Sequence, residues 1–220
     1  MSIFRTAILS SICFLFAFSA VAQSTEPWKV YRVQPSYPYS LNSGKLFHSK
    51  KRRGLENNLA DFYLYRNGVL VKPPKNIRYD FFPAGCLCFK YDDTLLLNSG
   101  LGSVVGVGVG IKIYGDKFTG SLHANTHNQL IYKQSKKDTV YFGSILEEPE
   151  TQSLRLYQPP SFTANEVIIG EYRATYKKFY KKNNHDGDDL CKYNVRILFK
   201  CRVTGGMDSI KNLTGSNNSK

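Results

Sequence analysis

The stretch Cys191-Lys-Tyr-Asn-Val-Arg-Ile-Leu-Phe-Lys-Cys-Arg-Val203 decides the fold class. Successive side chains of a strand point to opposite faces, so alternate residues form one row. The odd row (Cys191, Tyr193, Val195, Ile197, Phe199, Cys201, Val203) is apolar. The even row (Lys192, Asn194, Arg196, Leu198, Lys200, Arg202) is mostly basic. The stretch before it alternates in the same way: Tyr172, Ala174, Tyr176 and Tyr180 share one parity, and Arg173, Thr175, Lys177, Phe179 and Lys181 the other. Residues 167–180 and 191–203 are thus expected as two long strands. The connector 181–190 carries Asn183-Asn184-His185-Asp186-Gly187, a loop signal. In a plain hairpin the apolar faces coincide. The other face then carries Arg173, Lys177, Lys181, Lys192, Arg196, Lys200 and Arg202, with Phe179 among them.

Upstream the same period recurs in shorter runs. Phe62-Tyr-Leu-Tyr-Arg-Asn67-Gly68-Val-Leu-Val71 is a hairpin whose Asn-Gly pair suits the two positive φ angles of a type I′ turn. Pro73-Pro74 then stops pairing. Further strands are expected at 77–82, 86–91, 94–97, 104–114, 118–124, 129–133, 139–146 and 153–157. Asp92-Asp93, Ser99-Gly100, Gly115-Asp116 and Pro159-Pro160 stand among them as turn chemistry. No window of helical length keeps a 3.6-residue apolar period. The expected fold is all-β, an antiparallel sandwich or an open barrel, with the sandwich favoured. The expected organisation is a signal peptide over 1–22, an N-terminal arm over 23–60 with one strand near 28–33, the β domain over 61–204 and a flexible tail over 205–220.

Composition narrows the class. The 220 residues include 42% hydrophobic and 14% aromatic side chains, which excludes an intrinsically disordered chain. Arg5, the apolar run from Ala7 to Phe18 and the small pair Ala20 and Ala22 read as a cleaved secretory signal. That run is too short for a membrane span, which needs about 20 apolar residues. The mature chain then holds 29 Lys and Arg against 17 Asp and Glu, a charge of +12. No later segment approaches a transmembrane helix. The leader followed by Gln23 resembles those of exported proteins of Gram-negative bacteria, which implies a secreted or periplasmic location. In such surroundings Cys86, Cys88, Cys191 and Cys201 are allowed to pair. Cys191 and Cys201 on one strand lie ~33 Å apart, and Cys86 and Cys88 would close only a strained ring. A cross-link between one member of each pair and four free buried thiols both stay open.

Several motifs bear on chemistry. The basic hairpin face reads either as a solvated outer sheet face or as a surface for an anionic partner: an acidic polysaccharide, a lipid head group or an acidic protein. No nucleic-acid motif accompanies it. In Gly100-Leu-Gly-Ser-Val-Val-Gly-Val-Gly-Val-Gly110 the glycines share a parity, so Gly106, Gly108 and Gly110 line a candidate ligand groove or a site of close backbone approach. A dinucleotide loop is excluded because no helix follows. His123 and His127 share a parity but have no nearby acid to complete a metal site, and no cofactor is implied. Asp186-Gly187-Asp188-Asp189 lacks the spacing of a calcium loop. No nucleophile elbow or zinc-protease motif is present, and the cysteines face a core that makes them poor nucleophiles. The expected function is therefore a non-enzymatic exported binding or structural module. A carbohydrate-active hydrolase with acids assembled from loops is one alternative, for which the sequence proximity of Glu147, Glu148 and Glu150 decides nothing because such pairs meet in space, and a small-ligand carrier floored by the glycine strand is another.

Overall fold

The computed structural model describes residues 28–36, 58–71, 85–101, 106–126, 129–183 and 187–205, and among them all regular structure is strand. In chain order these are β1 (Lys29–Val30), β2 (Arg32–Val33), β3 (Asn58–Arg66), β4 (Val69–Leu70), β5 (Gly85–Tyr91), β6 (Thr94–Leu101), β7 (Gly106–Tyr114) and β8 (Lys117–Asn125). Then follow β9 (Tyr132–Lys133), β10 (Ser144–Glu147), β11 (Pro149–Leu156), β12 (Val167–Tyr176), β13 (Phe179–Lys182), β14 (Asp188–Cys191) and β15 (Tyr193–Thr204). The signal segment, the strand expected at 77–82, most of the arm and nearly all of the tail lie outside the described residues.

Tight turns set the hairpin registers. Asn67 and Gly68 both take positive φ, 52° and 81°, so Arg66 pairs with Val69 and β3 runs into β4 as the Asn-Gly signal requires. Asp92 at φ 47° turns β5 into β6, and Gly115 at φ 56° turns β7 into β8. These turns build an antiparallel meander of β5, β6, β7 and β8.

The large sheet runs β8-β7-β6-β5-β3-β15-β12-β11. Only Glu148 separates β10 from β11. One run of chain therefore pairs with β8 at its start, Glu147 opposite Leu122, and with β12 along the rest, Leu154 opposite Tyr172. The hydrogen-bond path thus returns to where it began. Beyond β10 the seam between β8 and β11 is filled by Lys29–Val33: β1 pairs with β8 and β2 with β11. The chain is all-β as expected, a large mixed sheet with a small second one, an arrangement that fits both expected forms, a sandwich and a barrel. The pairings are not all antiparallel: β2 lies parallel to β11, and the end of β15 lies parallel to β5.

The interior is filled from every wall by Phe62, Ile111, Phe118, Leu154, Tyr172 and Phe199, all nearly inaccessible to solvent. Phe118 meets Tyr172 edge-on at 6.3 Å, and the Tyr172 and Tyr176 hydroxyls lie 3.2 Å apart. Gly120 faces the Tyr172 hydroxyl so closely that a Cβ there would overlap it, which is why β8 carries no side chain at that point.

The expected long ribbon is corrected in one respect. Residues 167–180 are not one strand, because Lys177 and Lys178 interrupt it and β13 joins a separate small sheet with β9 and β14. Tyr176 and Phe179, three residues apart, both point inward, so the alternation slips at the break. Phe179 is therefore buried, with its ring 5.9 Å from Tyr132 and 5.2 Å from Tyr193, and does not lie on the basic face. The other arm breaks only at Lys192 and keeps its parity: Cys191, Tyr193, Val195, Ile197, Phe199, Cys201 and Val203 are all buried. Smaller corrections follow the turns. The expected strand 139–146 begins only at Ser144, 129–133 shrinks to β9, and 153–157 begins earlier, at Pro149.

Candidate functional site

The outer face of β11, β12, β15 and β3 holds a row of cross-strand neighbours, Arg155, Glu171, Leu198 and Asp61 in turn. The next row is Ser153, Arg173, Arg196 and Tyr63. Glu171 is only 1% exposed although it sits on the outer face. It accepts hydrogen bonds from Arg196 Nε at 2.6 Å and Arg173 at 2.8 Å, with Arg155 at 3.7 Å. One buried carboxylate thus anchors three guanidinium groups, whose side chains stay 34–49% exposed. With Asp61 at the end of the same row, three guanidinium groups face two carboxylates. Each guanidinium carries its N–H donors in a planar fork whose geometry matches carboxylate and sulfate oxygens. The Arg196 guanidinium also lies over the Tyr63 ring, 5.6 Å from its centre.

Beside the cluster runs an open groove of about 630 Å³, lined by Tyr65, Thr151, Ser153, Arg173, Asn194 and Arg196 among others. Asn194 Oδ1 is buried there, and no hydrogen bond to it is formed among the described residues. Lys200 and Arg202 continue the same face on β15, opposite Ile169 and Val167. The other three expected cations lie elsewhere. Lys177 falls in the strand break, 3.7 Å from Glu148, and Lys192 in the second break, 2.9 Å from Glu150. Lys181 belongs to the small sheet, opposite Asp189.

Across the molecule, Gly106, Gly108 and Gly110 also turn outward, while Val109, Ile111 and Ile113 face the core. Two shallow grooves of about 360 and 400 Å³ lie over them and share His123 and Leu146. Asn98 Oδ1, Ser121 Oγ and His123 Nε2 surround the open side of Gly110, and Ser121 lies 3.2 Å from the imidazole. Desolvation lowers the His123 pKa, which favours a neutral ring. Of this glycine run, Gly100 shows close backbone approach among the described residues, since a Cβ there would come within 2.9 Å of the Gly108 Cα.

No protein-family model, curated protein or solved structure matches this chain.

Function is therefore read from geometry alone. Glu147 and Glu148 do not converge: Glu147 points into the core, where desolvation pushes its carboxyl up to about 7, and Glu148 lines the groove over the glycines. Asp188, from the segment weighed as a calcium loop, is bound by Lys133 at 2.6 Å and by the Tyr141 hydroxyl at 2.8 Å. These contacts tie β9 to β14. His48, His127 and His185 lie outside the described residues.

Two members of the arginine cluster are absent from the sequence reading. Glu171 shares the parity of Arg173, so its place on the outer face was available from alternation. Its role as anchor was not, because that depends on Arg155 arriving from β11 through register.

Proposed function

We propose that this protein is an exported, non-enzymatic binding module whose outer β11-β12-β15-β3 face engages an anionic polymer, an acidic glycan above all. One observation carries the reading: two arginines, Arg173 and Arg196, hydrogen-bonded to the buried Glu171 carboxylate, with Arg155 3.7 Å from it, beside a groove lined with hydroxyls, amides and tyrosine. Guanidinium groups that are already placed lose less side-chain freedom on meeting carboxylates or sulfates than free ones do. The forks match two-oxygen anions, and the neighbouring hydroxyl and amide groups suit the sugar that carries them. Lys200 and Arg202 extend the positive strip along β15, which favours a chain over a single small anion.

The test is retention of the purified protein on an immobilised polyuronate at low ionic strength, eluted with salt. The variant Arg173→Gln/Lys200→Gln leaves Glu171 its two other arginines and removes no core contact. It should elute at clearly lower salt with an unchanged circular dichroism spectrum. Elution at the wild-type position with the fold intact would falsify the proposal.

A further inference from the structure

We infer that Cys86 and Cys201 form a disulfide when the chain folds in oxidising surroundings, joining β5 to β15 where β3 comes to its end. The inference rests on the export reading for its setting, and on the following geometry for its choice of partners. Cys86 and Cys88 face the core from β5, and Cys201 faces it from β15. β3 separates β5 from β15 only as far as Asn58, the pairing partner of Cys201. Past that point β5 and β15 pair directly, Val203 opposite Cys88 and Thr204 opposite Phe89.

At this fork the Cys86 thiol reaches across the end of β3. Its single S–H faces the carbonyl oxygens of Lys200, at 3.2 Å, and Leu59, at 3.4 Å, which sets the sulfur beside Cys201, the residue after Lys200 on β15. All four described cysteines are free, buried thiols, and Cys88 pairs in register with Val203, two residues past Cys201, so Cys86 is the β5 cysteine level with Cys201. Cys191 belongs to the small sheet, beside Tyr193.

Burial decides when the bond forms. Thiol–disulfide exchange needs a thiolate and an approach path. In the folded protein burial and the neighbouring thiols push Cys201 far above its ordinary value, and burial pushes Cys88 up to about 12. The exchange therefore belongs to the partly folded chain. The thiolate of one cysteine attacks a disulfide oxidant such as oxidised glutathione and expels one glutathione thiol, leaving a mixed disulfide. The second cysteine, as thiolate, attacks the protein sulfur of that intermediate and expels the other. Two protein S–H bonds are lost and one S–S bond is gained, and the two electrons and two protons end on two glutathione thiols.

The experiment is refolding of the reduced, denatured protein in a glutathione redox buffer, followed by alkylation and peptide mapping without reduction. The expected result is one peptide pair linking Cys86 to Cys201, with Cys88 and Cys191 alkylated. Free thiols at both Cys86 and Cys201, or a bond from Cys201 to Cys88, would overturn it. Cys86→Ala should lower the thermal midpoint of oxidised protein by about 10 °C while moving that of reduced protein far less. An equal shift under both conditions assigns Cys86 to packing alone and counts against the bond. Refolding in a test tube is independent of location. A linked product there, with free thiols in protein taken from its native compartment, would fault the export reading and leave the pairing standing.

Discussion

Glu147 shows how one side chain can make the whole fold sensitive to pH. It points inward from β10, opposite Leu122, and desolvation raises its carboxyl from 4.5 to about 7; Lys177 pulls the value down and Glu148 pushes it up. The folded protein thus holds this proton more tightly than the unfolded chain does. Between about pH 4.5 and 7 the unfolded chain releases the proton while the folded chain keeps it. Stability should therefore fall as pH rises through that window, by up to about 3 kcal/mol. Glu147→Gln cannot ionise, so its urea midpoint should vary less across the window and exceed that of the wild type at neutral pH. Parallel midpoint curves for the two proteins would refute the assignment. The sequence marked Glu147 only as one of three nearby acids. Alternation over Ile145 and Glu147 would have put it inside, but a strand expected to start at residue 139 hid where that alternation began.

At the scale of elements, strand identity and facing were legible and the bends only in part. The odd row of 191–203 is buried from end to end because period-two alternation is set by local geometry, which no distant contact has to supply. The break in the partner strand did leave a mark: Lys178 falls in the apolar row of Tyr176 and Tyr180, and Phe179 in the polar row, as a slip in the alternation requires. What holds the other break, at Lys192, comes from far away. The Asn67 side chain donates to the carbonyl of Leu190 at 2.7 Å and accepts from the amide of Lys192 at 2.8 Å. Its own amide donates to the carbonyl of Lys192, also at 2.8 Å. Asn67 was legible as a turn residue, but its second task spans 125 positions of sequence. Phe179 separates the two readings by experiment. On a solvated face Phe179→Ala would be nearly neutral, whereas a ring packed between Tyr132 and Tyr193 should cost about 3–5 kcal/mol in a denaturant titration. A change under about 0.5 kcal/mol would return this side chain to the surface.

For the molecule as a whole, closure of the sheet decides what the charge can do. Alternation over each strand indicated two faces, but only the return of 144–156 to β8 makes those faces an inside and an outside. Closure needs long-range pairing, including the parallel contacts of β2 with β11 and β15 with β5, and no local pattern encodes these. Once these pairings form, the basic strip of β12 and β15 lies across the molecule from the glycine strip of β7. The high net charge is then open to two explanations. If it acts only as a general field, any cations of equal number should matter equally. If the arginines anchored on Glu171 form a site, position should matter. Lys112→Glu/Lys117→Glu, on β7 and β8, and Arg173→Glu/Arg202→Glu, on β12 and β15, lower the net charge by the same amount. The first pair should shift elution from a polyuronate column slightly, as long-range attraction weakens and is screened by salt. The second should abolish retention near physiological ionic strength, because it removes forked donors and places a carboxylate in the groove at residue 173. Equal shifts for the two variants would reduce the basic face to its share of the overall charge.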